Sequence, residues 1–147
     1  MIPKISVIVP NYNDASALSE CIRSLLGLNY PKEKLEIIIV DNGSTDNSIQ
    51  VIKEFPVKLL IEKKIKGSYA ARNLGVINAE GEIIAFTDSD CVADKQWLFN
   101  SIKYLAGKDV GGVAGKILSG KPKTLVEEYQ LLTKALDQSR YFGHSHY

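Results

Sequence analysis

Ile83-Ile84-Ala85-Phe86-Thr87-Asp88-Ser89-Asp90 is an apolar run that ends in two carboxylates one residue apart. The first four residues have the length and composition of a buried strand. Asp88 and Asp90 therefore sit just past a strand's carboxyl end. In a parallel sheet, ligands bind in the crevice beyond that end. Two adjacent carboxylates repel one another, and a divalent cation shared with a phosphate relieves the repulsion, because such cations prefer oxygen ligands. An Asx-type turn accounts for one of the two aspartates more easily than for both.

The same strand-then-loop pattern recurs upstream. Ile5–Val9 reads as a strand stopped by Pro10. Leu18, Cys21, Ile22, Leu25 and Leu26 follow at helical spacing, with Asn13 and Asp14 as candidate caps. Leu35–Val40 is a second strand, followed by Ser44, Thr45 and Asp46 as cap types for a short helix that ends near Phe55, before Pro56. Val57–Ile61 is a third strand, and Tyr69–Ala79 a helix closed by Gly81. Asp94 opens a helix carrying Trp97, Leu98, Ile102 and Leu105. Val110–Leu118 is expected to be a fifth, glycine-interrupted strand. Thr124 and Glu127 form a capping box for a last helix reaching about Gln138, and Ser139–Tyr147 shows no periodicity. Alternation of strand and helix predicts an α/β fold: a doubly wound, mostly parallel sheet with helices on both faces.

The bulk properties remove several classes. The chain has 147 residues, 45% hydrophobic and 24% charged, as a single soluble globular core requires. A net charge of +1 gives no electrostatic case for a nucleic-acid partner. No run approaches the ~20 apolar residues of a membrane span, and the first residues lack the layout of a signal peptide. Cys21 and Cys91 have no paired spacing and read as reduced thiols of a cytosolic protein.

Three other loops bear on chemistry. Pro10-Asn11-Tyr12-Asn13 stands where a dinucleotide-binding loop would, yet it has no glycine, which argues against a nicotinamide or flavin dinucleotide. An exposed turn and a base-contacting loop explain it equally well. Asp41-Asn42-Gly43-Ser44-Thr45-Asp46 ends the second strand. Asp41 there either accepts from a base or ribose or caps its own turn, and Asp46 is better explained as a cap. Lys66-Gly67-Ser68-Tyr69-Ala70-Ala71-Arg72-Asn73 opens the third helix and places a guanidinium near its N-terminus, which suits a diphosphate. Gly112-Val113-Ala114-Gly115-Lys116-Ile117 lacks the spacing and the hydroxyl of a P-loop.

In this order the four segments Val7-Ile8-Val9-Pro10-Asn11-Tyr12-Asn13, Ile39 through Asp46, Gly67 through Gly75 and Phe86 through Asp90 resemble the family 2 inverting glycosyltransferases of GT-A fold. The resemblance implies transfer of a sugar from a nucleoside-diphosphate sugar, UDP being the favoured base, to a saccharide, lipid or protein hydroxyl. Such chemistry builds cell-envelope polysaccharide. It also implies that Pro10, Tyr12, Asn13 and Asp41 hold the base, that Arg72 and Asp88 contact the nucleotide, and that Asp90 binds Mg²⁺ or Mn²⁺. Residues 1–118 would form the nucleotide-sugar-binding domain, and 119–147 a helix and tail starting an incomplete acceptor-side region. The family's catalytic base, usually in a Glu-Asp pair, has no counterpart. Glu127-Glu128 reads as a solvated helix face, Asp137 has no supporting context, and the base is expected beyond Tyr147. The location implied is cytoplasmic, at the inner membrane face through downstream segments.

Two alternatives compete. A binding fragment without turnover would lack only the base. A haloacid-dehalogenase-type phosphatase would use Asp88 as nucleophile and Asp90 as acid/base, but that motif belongs on a first strand, and here three strands precede it.

Overall fold

The computed structural model describes residues 2–107, 109–118, 120, 122 and 124–133. The chain divides into two units, Met1–Asn100 and Ser101–Tyr147.

The first unit is a four-stranded parallel sheet. Its strands are β1 (Ile5–Asn11), β2 (Leu35–Asp41), β3 (Lys58–Ile61) and β4 (Ile83–Phe86), in spatial order β3-β2-β1-β4. The helices α1 (Ala15–Leu26), α2 (Ser48–Lys53) and α3 (Ser68–Ile77) fill the crossovers. α4 (Trp97–Leu105) begins in this unit, with Asp94 Oδ1 accepting the Gln96 N–H at 2.8 Å just ahead of it.

Side chains alternate across a strand, so each strand feeds two layers. Ile8, Ile38 and Val40 form one buried layer with Ala71 of α3, and Leu60, Leu74 and Ile84 pack around them. Gly75 sets how close α3 comes to the sheet. A Cβ there would lie 2.5 Å from Ile8 Cγ2, so only glycine permits the approach. Val7, Val9, Ile37 and Ile39 face the other way and are equally buried. The helices available to that layer are α1 and α2, which pack together; α1 contributes the buried stripe Leu18, Cys21, Ile22 and Leu25.

β1 does not stop at Pro10 but continues to Asn11. Successive residues of a parallel strand turn their backbone groups to alternate neighbours. Ile8 accepts on the β4 side, from the Thr87 N–H, and Asn11 on the β2 side, from the Asn42 N–H. The absent N–H of Pro10 therefore faces the β4 side, where the ladder has already ended at the Ile8–Phe86 pair. No hydrogen bond is lost, so proline is tolerated inside the strand.

In the second unit the described residues include α5 (Leu125–Leu132), directly preceded by Thr124. The expected fifth strand is not formed, since no described residue from Val110 to Leu118 is in a strand. Gly111, Gly112 and Gly115 leave that segment with few side chains to pack and a large backbone entropy to lose. Val110, Val113, Ile117 and Leu118 are exposed. The side chain of Glu127, the helical extension after Thr133, Asp137 and the tail lie outside the described residues.

Candidate functional site

The strand order fixes where a ligand can sit. β1, β2 and β3 step outward in one direction, then β4 returns to the far side of β1. The crossover helices on the two sides of β1, α1 and α3, therefore cover opposite faces of the sheet, which leaves a crevice at the carboxyl ends of the strands. A cleft of ≈ 680 Å³ occupies that place, lined by Pro10, Asn11, Tyr12, Asn13 and Asp14 after β1, by Asn42 after β2, by Lys66, Gly67 and Ser68 before α3, and by Asp88, Ser89 and Asp90 after β4.

The β1 and β2 loops are fastened together. Asn13 has φ 53°, a left-handed conformation that asparagine tolerates. Its N–H donates to Ser44 Oγ at 2.9 Å, and its Oδ1 accepts from the Thr45 N–H at 2.7 Å. Asp46 serves two elements: Oδ1 accepts from the Ser48 hydroxyl at 2.6 Å and the Ser48 N–H at 3.0 Å, and Oδ2 from the Ala15 N–H at 3.0 Å. These bonds, the Ser48 hydroxyl foremost, hold its carboxyl below the ordinary value. Asp46 thus serves the starts of α1 and α2, although the cap position of α2 is Asn47 and the helix begins later than expected, at Ser48.

Of the two roles open to it, Asp41 takes the cap of its own turn. It is fully buried and does not line the cleft. Asn11 Nδ2 (2.9 Å) and Ser44 Oγ (2.5 Å) donate to Oδ1, and the N–H groups of Gly43 (3.1 Å) and Ser44 (3.0 Å) donate to Oδ2. Its acceptor capacity is spent on its own turn. Asn42, which sequence reasoning passed over, faces the cleft instead. Its Nδ2 donates to the Ile65 carbonyl at 2.9 Å, and its Oδ1 accepts the Gly67 N–H at 2.6 Å, tying the β3–α3 loop to β2. No local signal singles it out, since Asp-Asn-Gly is a general turn sequence. Beside Asp41, Asn11 Oδ1 is buried without a hydrogen-bond partner, a costly arrangement on the floor of a cleft.

On the opposite rim, Arg72 Nη2 lies 2.5 Å from Asp88 Oδ1. α3 starts at Ser68, its cap position Gly67 offers no side chain, and both residues line the cleft, so the positive end of the helix dipole lies at its rim. Gly67 has φ 122° and ψ 150°, a conformation essentially reserved for glycine. Tyr12 is 56% exposed and presents a ring to the cleft. Of the residues expected at the site, Pro10, Tyr12, Asn13, Asp88 and Asp90 line one cleft, Arg72 reaches it through Asp88, and Asp41 lies beneath it.

The donor set suits a hard cation that arrives with phosphate. Among the described residues no three His, Cys, Asp or Glu side chains form a closed cage. Mg²⁺ and its analogues are held by one or two carboxylates with the rest of the shell from phosphate and water, which Asp88 and Asp90 allow. The nearby thiols are poor nucleophiles. Burial, then the neighbouring Cys91 and carboxylates, pushes Cys21 up to about 12, and burial also raises Cys91.

The model of glycosyl transferase family 2 matches residues 6–145. The chain belongs to glycosyl transferase family 2. Glycosyltransferase AglE of Haloferax volcanii is 37% identical over 139 residues, which cover 90% of this chain and 46% of that protein. The poly(ribitol-phosphate) beta-N-acetylglucosaminyltransferase TarS of Staphylococcus aureus is 34% identical over 107 residues, 69% of this chain and 19% of TarS. This family-2 chain thus spans less than half the length of these relatives. Among solved structures, the mannosyltransferase PcManGT of Pyrobaculum calidifontis, in complex with GDP-Man and Mn²⁺, matches with a TM-score of 0.71 and 32% identity over 76% of this chain and 34% of its own. TarS 1–349 in complex with UDP-GlcNAc matches with a TM-score of 0.61 and 28% identity over 77% of this chain and 37% of its own. The parallel α/β sheet is therefore the GT-A fold of these neighbours. Among the described residues no helix is long and apolar enough to cross a membrane.

Proposed function

We propose that the chain is the donor-binding part of a metal-dependent inverting glycosyltransferase, one that moves a sugar from a nucleoside-diphosphate sugar, UDP favoured, to an acceptor hydroxyl. The observation that carries this reading is the convergence of the Pro10–Asp14 loop, the start of α3 and the Asp88–Asp90 turn on one cleft at the switch point of the sheet. Support for the ligand class comes from PcManGT with GDP-Man and Mn²⁺ and from TarS with UDP-GlcNAc.

In this reading Tyr12 offers an apolar face to the base, with Pro10 and Asn13 shaping its pocket. Asp41 acts indirectly, by fixing the turn that presents Asn42. Asp88 turns to the nucleotide and Asp90 to the cation. The N-terminal end of α3 and the Arg72 guanidinium meet the diphosphate. A bound Mg²⁺ or Mn²⁺ would supply a Lewis acid for the charge that gathers on the departing diphosphate. Arg72 stabilises the same charge, and the other groups align the anomeric carbon for attack from the opposite side. No described residue is assigned as the general base, and residues 1–118 are proposed as the nucleotide-sugar-binding region.

The test is thermal shift of the chain with UDP, GDP and TDP in turn, with and without Mn²⁺. A ligand at ~100 times its Kd adds ~2.7 kcal/mol to the native state, a visible rise in melting temperature. Unchanged melting with all three nucleotides would overturn the proposal.

A further inference from the structure

We infer that Asp14 is a positioning residue that sets the spacing of Asp88 and Asp90 by holding the hydroxyl of the serine between them; the inference rests on the reading of that turn as the metal–diphosphate site. Asp14 occupies the N-cap position of α1. An aspartate there ordinarily folds back to accept an N–H of its own helix. Here it makes no such bond. The neighbouring loop does that work instead: the Asp14 N–H donates to Ser48 Oγ at 3.3 Å and the Ala15 N–H to Asp46 Oδ2 at 3.0 Å. The Asp14 carboxylate is released from capping and crosses the switch point, where its Oδ2 accepts the Ser89 hydroxyl at 2.7 Å.

That bond joins the β1 and β4 loops, 75 residues apart in sequence. A charged acceptor makes it one of the stronger hydrogen bonds available to a serine. The turn is gripped from within as well, since the Cys91 N–H donates to the Asp88 carbonyl at 3.1 Å. With Ser89 tied to Asp14 and the Asp88 carbonyl to the Cys91 N–H, the torsions that separate the two carboxylates have little freedom left. A cation then finds its protein ligands already spaced, and less of the binding free energy goes into ordering the loop. Asp46 and Ser48 stand behind Asp14, so the β2 loop also supports the turn.

The rival role for Asp14 is direct ligation through its charge. Asparagine separates the two, because it keeps an acceptor oxygen for Ser89 and loses the charge. The experiment titrates Mn²⁺ in the presence of saturating UDP or GDP, and separately titrates each nucleotide without metal. It uses the full chain as parent and as Asp14→Asn, Asp14→Ala, Ser89→Ala and the Asp14→Ala/Ser89→Ala double variant. Expected is about a tenfold loss of Mn²⁺ affinity in Asp14→Ala and in Ser89→Ala, the scale of one hydrogen bond to a charged group. The double variant should lose no more than either single, since both remove one interaction. Asp14→Asn should stay within about threefold of the parent, and metal-free nucleotide affinity, which depends on the turn only through Asp88, should fall clearly less than Mn²⁺ affinity in every variant.

Parent-like Mn²⁺ affinity in Asp14→Ala and Ser89→Ala overturns the inference and leaves the proposed function standing. So does an Asp14→Asn loss as large as that of Asp14→Ala, which would make Asp14 a ligand, or a parallel loss of metal-free nucleotide binding, which would make its role structural. A parent with no metal-dependent nucleotide binding overturns both readings together. If Asp14→Ala fails to fold, Ser89→Ala, which leaves α1 intact, decides alone.

Discussion

Arg72 and Asp88 are joined by an ion pair of 2.5 Å, one from α3 and the other from the turn after β4. The Arg72 side chain is 28% exposed and that of Asp88 60%, so the pair is open to solvent and of small value to the fold. Its consequence is alignment. The guanidinium is parked at the rim where the proposed diphosphate would lie, and a phosphate can take over the donors that Asp88 now holds.

Arg72→Ala should therefore weaken binding of a nucleoside diphosphate by about tenfold and leave binding of the nucleoside unchanged, as loss of a charge-assisted contact to phosphate predicts. The parent's affinity should fall as NaCl is raised, and that of the variant should fall less. Calorimetric titration with UDP and uridine at low and high salt measures both. Equal losses for the two ligands would remove Arg72 from the phosphate.

Asp90→Asn should abolish the part of nucleotide binding that depends on metal and spare the rest. The side chain lines the cleft, and the substitution removes a charged oxygen that a hard cation prefers. The readout is the difference in melting temperature with UDP between Mn²⁺ and EDTA. That difference should vanish in Asp90→Asn, while the shift in EDTA stays at the parent value. A variant that keeps the Mn²⁺ increment would place the cation elsewhere.

The four strands were legible because each is an apolar run closed by a turn signal, and the parallel order followed from the helices between them. The cleft was legible for the same reason, since three of its walls are the loops at those strand ends. What the sequence left open depended on side-chain direction. Asp41 and Asn42 are adjacent, and only the pleat and the demands of the turn decide that Asp41 points in and Asn42 faces the cleft. The free caps of α1 were equally hidden, because a residue that caps from another loop leaves no local spacing to read. At Val110–Leu118 the β-branched residues suggested a strand, and the glycines among them decided otherwise.

Asp41→Asn should behave as a stability variant first. Four donors converge on the buried carboxylate, and an amide would turn its own N–H groups towards some of them. A loss of roughly 2–3 kcal/mol is expected, in line with a broken buried network around a charged acceptor. Urea unfolding at pH 7 measures it. Nucleotide binding should weaken with the loosened turn, and Asp41→Asn at parent stability would show that the turn does not depend on these bonds.

At the opposite end of the sheet from the cleft, Glu36 gives the fold an acid-sensitive joint. Burial pushes its carboxyl up, but the Ser6 hydroxyl, the Glu80 N–H at 2.9 Å and Lys58 at 3.2 Å together hold it below the ordinary 4.5. A carboxyl whose folded value lies below its unfolded one binds fewer protons when folded, so it stabilises the fold above the unfolded value. That contribution is lost as pH falls from 4.5 through the lowered folded value. The urea midpoint of the parent should therefore decline between about pH 5 and pH 3. Glu36→Gln should lower stability at pH 7 by roughly 1–2 kcal/mol, since it removes charge-assisted bonds from Ser6 and Lys58. It should also flatten the decline below pH 4.5, because the linked proton is gone. Melting curves of the two proteins across this range, read without nucleotide, isolate the effect from the cleft. A parent and a Glu36→Gln variant with the same slope would mean that the joint holds no charge the fold relies on.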